Sequence, residues 1–303
     1  MARNLLSLND LTADEISAIL KRAAEMKAAR AETSANGALT GKSVGLIFNK
    51  PSMRTLVSFR VGVYELGGHA VHLPETHTQF GSSREPISHA ARVLSRYLHM
   101  LVVRTFAQSE IEEWAKYADI PVINALTDQF HPCQVLSDML TVVEHKGGLK
   151  DRVIAWVGDG NNMANSWINA AALMGFALRL AVPKGYEPDP LVVKAAQNRK
   201  ADIVVTHDPV EAVKGSDIIY TDVWASMGQE SEAKTRAEIF KPYQVNSALT
   251  AHAPEAVILH CLPAHLGEEI TEDVVESPRS AVFDQAENRL HAQKALMEFL
   301  ITG

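Results

Sequence analysis

The chain has 303 residues, of which 47% are hydrophobic and 21% charged, a composition that fits a globular protein and excludes disordered and fibrous classes. Its length suits two domains with sizeable cores, and no apolar run approaches the ~20 residues of a membrane helix. The formal net charge of −7 and the lack of a concentrated Lys/Arg run argue against a nucleic-acid partner.

Helices and strands alternate along the first half of the chain. The predicted helices lie within 7–30, from Pro51 to the glycines at 67–68, at 87–94 and at 135–145. Short apolar runs predict strands at 46–48, 69–73, 99–103 and 121–125. This alternation favours a parallel sheet with helices on both faces.

The second half repeats the pattern after Gly147-Gly148, which we take as a domain boundary. The predicted strands lie at 153–157, 178–182, 203–206, 218–221, 257–260 and 281–283, and a closing helix starts at Ala286. The sequence thus predicts an α/β protein of two doubly wound domains, each a mostly parallel sheet flanked by helices, joined by interdomain helices. The expected limits are 1–133 and 148–285, with a linking helix at 134–147 and the closing helix at 286–303.

A polar turn between the first predicted strand and its helix has the chemistry of an anion site. A helix N-terminus presents unpaired N–H groups and the positive end of its dipole, and Pro51 suits a first helical turn. Ser52, Arg54 and Thr55 add two hydroxyls and a guanidinium, which suits a phosphate. The alternative is an ordinary N-cap beside a solvated arginine, and this stretch alone does not decide between them.

Glycines after the strand at 153–157 could suggest a dinucleotide enzyme. Gly158 and Gly160 match the first two positions of that fingerprint. Met163 stands where the third glycine would be, and Lys184 rather than an acid follows the next strand. An oxidoreductase is therefore a distant alternative, and we predict no cofactor.

The histidines at 69, 72 and 77 could suggest a metal site. In a strand, His69 and His72 point to opposite faces, and no cysteine or carboxylate joins them at ligand spacing. We predict no metal.

Only two cysteines occur, Cys133 and Cys261, without a CxxC motif. Such sparse usage fits a reducing compartment. The N-terminal residues lack the long apolar segment of a signal peptide. Together these features predict a cytoplasmic protein.

Four motifs carry a family resemblance. Ser52-Met53-Arg54-Thr55, followed by Ser58-Phe59, resembles the Ser-x-Arg-Thr-Arg-x-Ser-Phe-Glu signature of aspartate and ornithine carbamoyltransferases. The segments at 131–134 (His-Pro-Cys-Gln), 226–228 (Ser-Met-Gly) and 260–263 (His-Cys-Leu-Pro) resemble the ornithine-type forms. Three positions depart from the family pattern: Leu56 and Leu266 replace arginines and Arg60 replaces a glutamate.

The resemblance implies transfer of a carbamoyl group from carbamoyl phosphate to the δ-amine of L-ornithine, giving L-citrulline and phosphate. It implies that carbamoyl phosphate is bound by Ser52, Met53, Arg54, Thr55, Gln79, Arg104, His131, Gln134, Cys261, Leu262 and Arg289. It implies that ornithine is bound by Asn162, Asp222, Ser226 and Met227. Catalytic roles fall to Arg104, His131, Asp222, Cys261 and Arg289.

The resemblance also implies an assembly and a motion. The expected assembly is a homotrimer with shared active sites, in which the loop containing Gln79 reaches a neighbouring subunit. The closing helix would pack on the first, carbamoyl-phosphate-binding domain, and the loop at 226–228 would close over ornithine in the second domain.

Several alternatives stay open at this point. His131 could be a buried structural histidine and Cys261 a plain buried cysteine. The acceptor could be another amine, such as putrescine or a modified ornithine. The loop that contains Gln79 could be a solvated, mobile loop. The losses at Leu56 and Leu266 could also mark a homologue that binds carbamoyl phosphate without turnover.

Overall fold

The computed structural model describes residues 2–32, 37–74, 80, 85–225 and 230–303. The chain forms two compact units. Unit 1 comprises Met1–Ser137 with Asn288–Gly303, and unit 2 comprises Asp138–Glu287. The two divisions fall inside helices, and the first of them lies before the Gly147-Gly148 pair that the sequence suggested as a boundary.

Unit 1 contains a four-stranded parallel sheet in the order β2-β1-β3-β4. The strands are β1 Ser43–Phe48, β2 His69–Pro74, β3 Met100–Arg104 and β4 Val122–Leu126. The helices are α1 Ala13–Ala28, α2 Met53–Glu65, α3 Ile87–Leu94, α4 Gln108–Tyr117 and the start of α5 Pro132–Lys146, with short 3-10 helices at Leu8–Asp10 and Arg30–Glu32.

The strand register places the polar segments of unit 1 at one edge. Phe48 pairs with Pro74 on one side and with Arg104 on the other, and Arg104 pairs with Leu126. The order reverses between β1 and β3, and open α/β sheets bind ligands outside the carboxyl ends of such strands. β3 is buried along its whole length, which explains its apolar sequence.

Unit 2 contains a five-stranded parallel sheet in the order β7-β6-β5-β8-β9, with its own reversal between β5 and β8. The strands are β5 Val153–Val157, β6 Ala177–Ala181, β7 Ile203–Thr206, β8 Ile218–Thr221 and β9 Val257–His260. The helices are α6 Asn162–Met174, α7 Pro190–Asn198, α8 Pro209–Val213, α9 Ala233–Phe240, α10 Ser247–Thr250, α11 Glu272–Val275 and α12 Val282–Thr302, which ends in unit 1, with 3-10 helices at Glu230–Glu232 and Lys241–Tyr243.

The predicted fold class of two helix-flanked parallel sheets is confirmed, and two local predictions are wrong. The run at 281–283 is not a strand, because α12 starts at Val282 and only Ser280 makes an isolated bridge, to Ile258. A run of three apolar residues fits the period of a strand as well as that of a helix, so the sequence pattern could not distinguish a strand from a helix here. Pro51 lies outside α2, since Ser52 is the N-cap and the helix begins at Met53.

Among the described helices, none combines the length and apolar character needed to span a bilayer.

Candidate active site

The N-terminus of α2 forms a polar cradle at the end of β1. The Ser52 hydroxyl oxygen accepts the backbone N–H of Thr55 at 3.4 Å, and the same hydroxyl donates to Thr55 Oγ1 at 2.9 Å. Arg54 is half-buried, whereas Met53 is 72% exposed. No acidic side chain occupies the first turn, so nothing there neutralises the positive end of the helix dipole. The arrangement suits an oxyanion.

Arg289 binds two of the other predicted site residues. Its Nη2 donates to Thr55 Oγ1 at 2.6 Å, and its Nη1 donates to Gln134 Oε1. All three side chains are buried. Arg289 lies in the part of α12 that belongs to unit 1, and it brings a guanidinium to the starts of α2 and α5.

Arg104 and His131 are the remaining predicted site residues of unit 1 that the structure describes. Arg104 is the last residue of β3, and His131 directly precedes α5; both are buried. Burial lowers the pKa of His131 well below its ordinary value, and the charges of Arg289 and Arg104 lower it further. The imidazole is therefore neutral at pH 7, and it lies near two guanidinium groups that favour an anion.

Lys50 was not identified from the sequence as a site residue. Its ammonium is buried, pairs with Asp128 and lies 4.3 Å from the centre of the Phe106 ring. Lys50 follows β1 and Asp128 follows β4, so the pair ties together the two segments that lead to Ser52 and His131. Its position beside the motif was the available signal, but nothing in the sequence shows that this lysine is buried.

In unit 2, Asp222 follows β8 and receives three hydrogen bonds. Its Oδ1 accepts the Cys261 thiol at 3.0 Å and the backbone N–H of Val223 at 2.9 Å. Its Oδ2 accepts the side-chain amide of Asn161 at 2.9 Å. Asp222 is buried and Cys261 half-buried. This carboxylate is an acceptor at the carboxyl edge of the sheet, where an amine could bind.

The turn after β5 supports Asp222 and starts α6. The Asn161 side chain caps the helix by accepting the backbone N–H groups of Met163 and Ala164, and Asn162 is its half-buried first residue. The glycine at 160 packs against protein backbone: a Cβ there would lie 2.3 Å from the nitrogen of Pro188. A packing requirement within unit 2 therefore accounts for this glycine without a pyrophosphate.

The segment that carries Cys261 is fixed by a buried pair. His260 Nδ1 accepts the backbone N–H of Leu262 at 2.9 Å, so its Nε2 carries the proton and donates to Glu269 Oε1 at 2.9 Å. His260 and Glu269 are fully buried. These contacts set the course of the chain on both sides of Cys261.

Two groups of side chains in the described residues have ligand atoms within 4.8 Å of one another and could hold a metal ion. They are Asp222 with His260 and Cys261, and His265 with Glu268 and Glu269. The carboxylate and thiol of the first group already bond to each other, and the imidazole of His260 bonds to Glu269.

Arg236, from α9 in unit 2, is, like Lys50 in unit 1, a buried charged residue that the sequence did not reveal. Its Nη1 donates to Asp159 Oδ2 at 3.0 Å and to the carbonyl of Trp224 at 2.8 Å. Asp159 precedes Asn161, and Trp224 follows Asp222 by two residues. Burial raises the pKa of Asp159 to about 6, and Arg236 opposes that rise.

Three predicted site residues, Gln79, Ser226 and Met227, lie outside the described residues. Of the three departures, Leu56 is half-buried, Arg60 is exposed and Leu266 is 53% exposed.

The family of this chain is identified by comparison with models of known protein families. Residues 3–144 match the carbamoyl-P binding domain of aspartate/ornithine carbamoyltransferase, and residues 150–300 match the Asp/Orn binding domain. The chain belongs to the aspartate/ornithine carbamoyltransferase family.

Within this family, the chain is similar over its full length to proteins named ornithine carbamoyltransferase. An ornithine carbamoyltransferase from Desulfotalea psychrophila is 54% identical over 300 residues, covering 98% of this chain and 99% of its own length. One from Geobacter sulfurreducens is 52% identical over 303 residues, covering 99% and 100%. The solved ornithine carbamoyltransferase from Pyrococcus furiosus matches with a TM-score of 0.95 at 48% identity, covering 100% of this chain and 98% of that one.

Proposed function

We propose that this chain transfers the carbamoyl group of carbamoyl phosphate to the δ-amine of L-ornithine, giving L-citrulline and phosphate. The observation that carries the proposal is the pairing of Cys261 with Asp222 at the carboxyl edge of unit 2, because it places the ornithine-type His-Cys-Leu-Pro cysteine on a buried acceptor. The full-length identity with ornithine carbamoyltransferases supports it.

Carbamoyl phosphate is assigned to unit 1. The start of α2, with Ser52, Met53, Arg54 and Thr55, receives the phosphate, because its N–H groups, hydroxyls and guanidinium are all donors. Arg104 and the neutral His131 donate to the carbonyl oxygen as it becomes an oxyanion. Loss of one such donor typically adds ~2.7–4 kcal/mol to the barrier.

Arg289 and Gln134 complete this side of the site. Arg289 donates to the hydroxyl of Thr55 and to the side-chain oxygen of Gln134, and this contact fixes the orientation of the Gln134 amide toward the carbamoyl end of the substrate. Roles for Gln79, Cys261 and Leu262 toward carbamoyl phosphate stay predictions from the resemblance.

Ornithine is assigned to unit 2. An amine with the ~10.4 pKa of lysine costs roughly 4.6 kcal/mol to deprotonate at pH 7, so the site must favour the neutral nucleophile. Asp222, beside Cys261, accepts an amine proton. Asn162 at the start of α6 is assigned to the α-amino and α-carboxylate end, together with Ser226 and Met227. The amine nitrogen bonds to the carbonyl carbon, the bond from that carbon to the phosphate oxygen breaks, and phosphate leaves.

A homotrimer is the proposed assembly. Helix α2 presents Met53, Val57 and Tyr64 to solvent with exposed fractions of 72%, 52% and 67%. They lie at helical spacing on the element that carries the phosphate cradle, and a second copy of the chain would cover them.

The two free cysteines fit the proposed cytoplasmic location.

The test is colorimetric citrulline formation from carbamoyl phosphate and L-ornithine, with aspartate and putrescine as parallel acceptors. Product with ornithine alone is the expected result, and it would show that the arginines missing at Leu56 and Leu266 are dispensable. Product with putrescine alone would reassign the acceptor. Carbamoyl phosphate binding without any product would overturn the catalytic proposal and leave a binding protein.

A further inference from the structure

Strand β9 lies at the edge of the sheet of unit 2, so the backbone donors on its outer side lack a neighbouring strand. The N–H of Ile258 donates to the carbonyl of Arg279 at 2.9 Å. The next N–H on the same side belongs to His260, and it donates to the side-chain Oε1 of Gln285 at 2.9 Å. A helical side chain thus replaces a sixth strand at the last residue of β9.

The other end of the same amide binds two further groups. Gln285 Nε2 donates to Asp138 Oδ1 at 2.7 Å and to the hydroxyl oxygen of Tyr220 at 3.0 Å. All three side chains are fully buried. Of the common side chains, a carboxamide accepts at one end and offers two donors at the other without carrying charge. The three contacts therefore define the residue type at 285 closely.

The contacts of Gln285 end beside the two groups assigned to the ornithine amine. His260 immediately precedes Cys261, and Tyr220 comes two residues before Asp222. We infer that Gln285 is a positioning residue that holds the Cys261 thiol on the Asp222 carboxylate by bridging β8, β9 and α5. The role in catalysis rests on the proposed function, whereas the positioning of the thiol does not.

The test compares Gln285→Met with Gln293→Met, a matched control in the same helix. Gln293 is also buried, and its side-chain amide makes no hydrogen bond within the described residues. The readout is alkylation of Cys261 by iodoacetamide, followed by peptide mapping. Cys133 serves as an internal folding control, because it is buried and burial raises its pKa to about 12.

We expect Gln285→Met to alkylate roughly tenfold faster than wild type, because a thiol released from a carboxylate ionises more readily. We expect kcat/KM for ornithine to fall roughly tenfold to a hundredfold through misplacement of the amine site. Gln293→Met should match wild type in both assays, and Cys133 should stay unmodified throughout.

Gln285→Glu is the second variant, for the case in which methionine prevents folding. It keeps the acceptor for His260, but when ionised it cannot donate to Asp138 or Tyr220 and adds a charge beside Asp138. The titratable groups around this site also include Tyr220, Asp222, His260, Cys261 and the Glu269 that bonds to His260. The difference between its alkylation rate and that of wild type should shrink as the pH falls, because a protonated carboxyl regains one of the two donor contacts.

The outcomes separate the two claims. Alkylation and kinetics equal to wild type in both Gln285 variants would overturn the inference and leave Gln285 as packing. Altered alkylation in Gln285→Met, with no citrulline from wild type, would retain the positioning role and refute the proposed function instead.

Discussion

Replacing Arg236 by methionine should destabilise unit 2 in a manner that depends on pH. Arg236 is buried and donates to Asp159, to the carbonyl of Trp224 and to Glu232. Methionine keeps much of the apolar length and removes the charge. Glu232 lies in solvent and rehydrates, but Asp159 stays buried without its cation.

The magnitude follows from that buried carboxylate. Removing one partner of a buried ion pair typically costs about 3–5 kcal/mol of the free energy of unfolding. The pKa of Asp159 is already raised from 3.8 to about 6, and it should rise further once Arg236 no longer opposes the effect of burial. The rise from 3.8 to about 6 in wild type corresponds to ~3 kcal/mol of unfavourable free energy for the ionised carboxylate in the folded chain.

The sign of the pH dependence follows from linkage. Because the pKa of Asp159 is higher in the folded chain than in the unfolded one, its contribution to stability is greatest at low pH and is lost as the pH rises through about 6. In Arg236→Met, where the pKa of Asp159 should be higher still, stability continues to fall with rising pH up to a higher pH than in wild type. The difference between wild type and Arg236→Met should therefore be larger at pH 8 than at pH 5.

The measurement is urea unfolding at both pH values, followed by tryptophan fluorescence. Three of the four tryptophans, Trp156, Trp167 and Trp224, lie in unit 2 and report its unfolding. The control is Arg236→Met combined with Asp159→Asn, which should lose the additional pH dependence. An equal destabilisation at pH 5 and pH 8 would refute the assignment to Asp159, and one below ~1 kcal/mol would refute the buried ion pair.

Two further variants test unit 1. Arg289→Met removes charged donors to Thr55 and Gln134, each worth about 1.5–3 kcal/mol, so kcat/KM for carbamoyl phosphate should fall at least tenfold in the citrulline assay. Activity close to wild type would remove Arg289 from the site. Lys50→Met leaves Asp128 with a 62% exposed side chain that water can solvate, so the melting temperature should change little while KM for carbamoyl phosphate rises. Asp128→Asn should reproduce that rise, and an unchanged KM in both variants would show that the pair does not order the site.

Local chemistry let the sequence predict most of the fold. The alternation of apolar runs and helical spacing predicted every strand that the described structure contains. The central strands β1, β3, β5 and β8 are buried along nearly their whole length, and such parallel strands read as apolar runs. Glycine also marks the end of α6: Gly175 is its C-cap, and its φ of 74° is a left-handed conformation that glycine adopts without strain. The run at 281–283 was wrong because three apolar residues carry no distinguishable period.

The motifs and the resemblance also singled out Thr55, Arg104, His131 and Gln134, which lie at the edge of one sheet, and Asp222 and Cys261, which lie at the edge of the other. Their roles toward substrates stay predictions that the proposed assays test.

Only the tertiary structure decided which groups these residues bind. Arg289 and Thr55 are separated by 234 residues, and Gln285 and Asp138 by 147, so no local pattern connects them. Lys50, Asp159 and Arg236 look like ordinary surface charges in the sequence, and folding buries all three. A sequence period reports which face of an element is apolar, whereas the burial and pairing of a charge depend on neighbours that only the packed chain supplies.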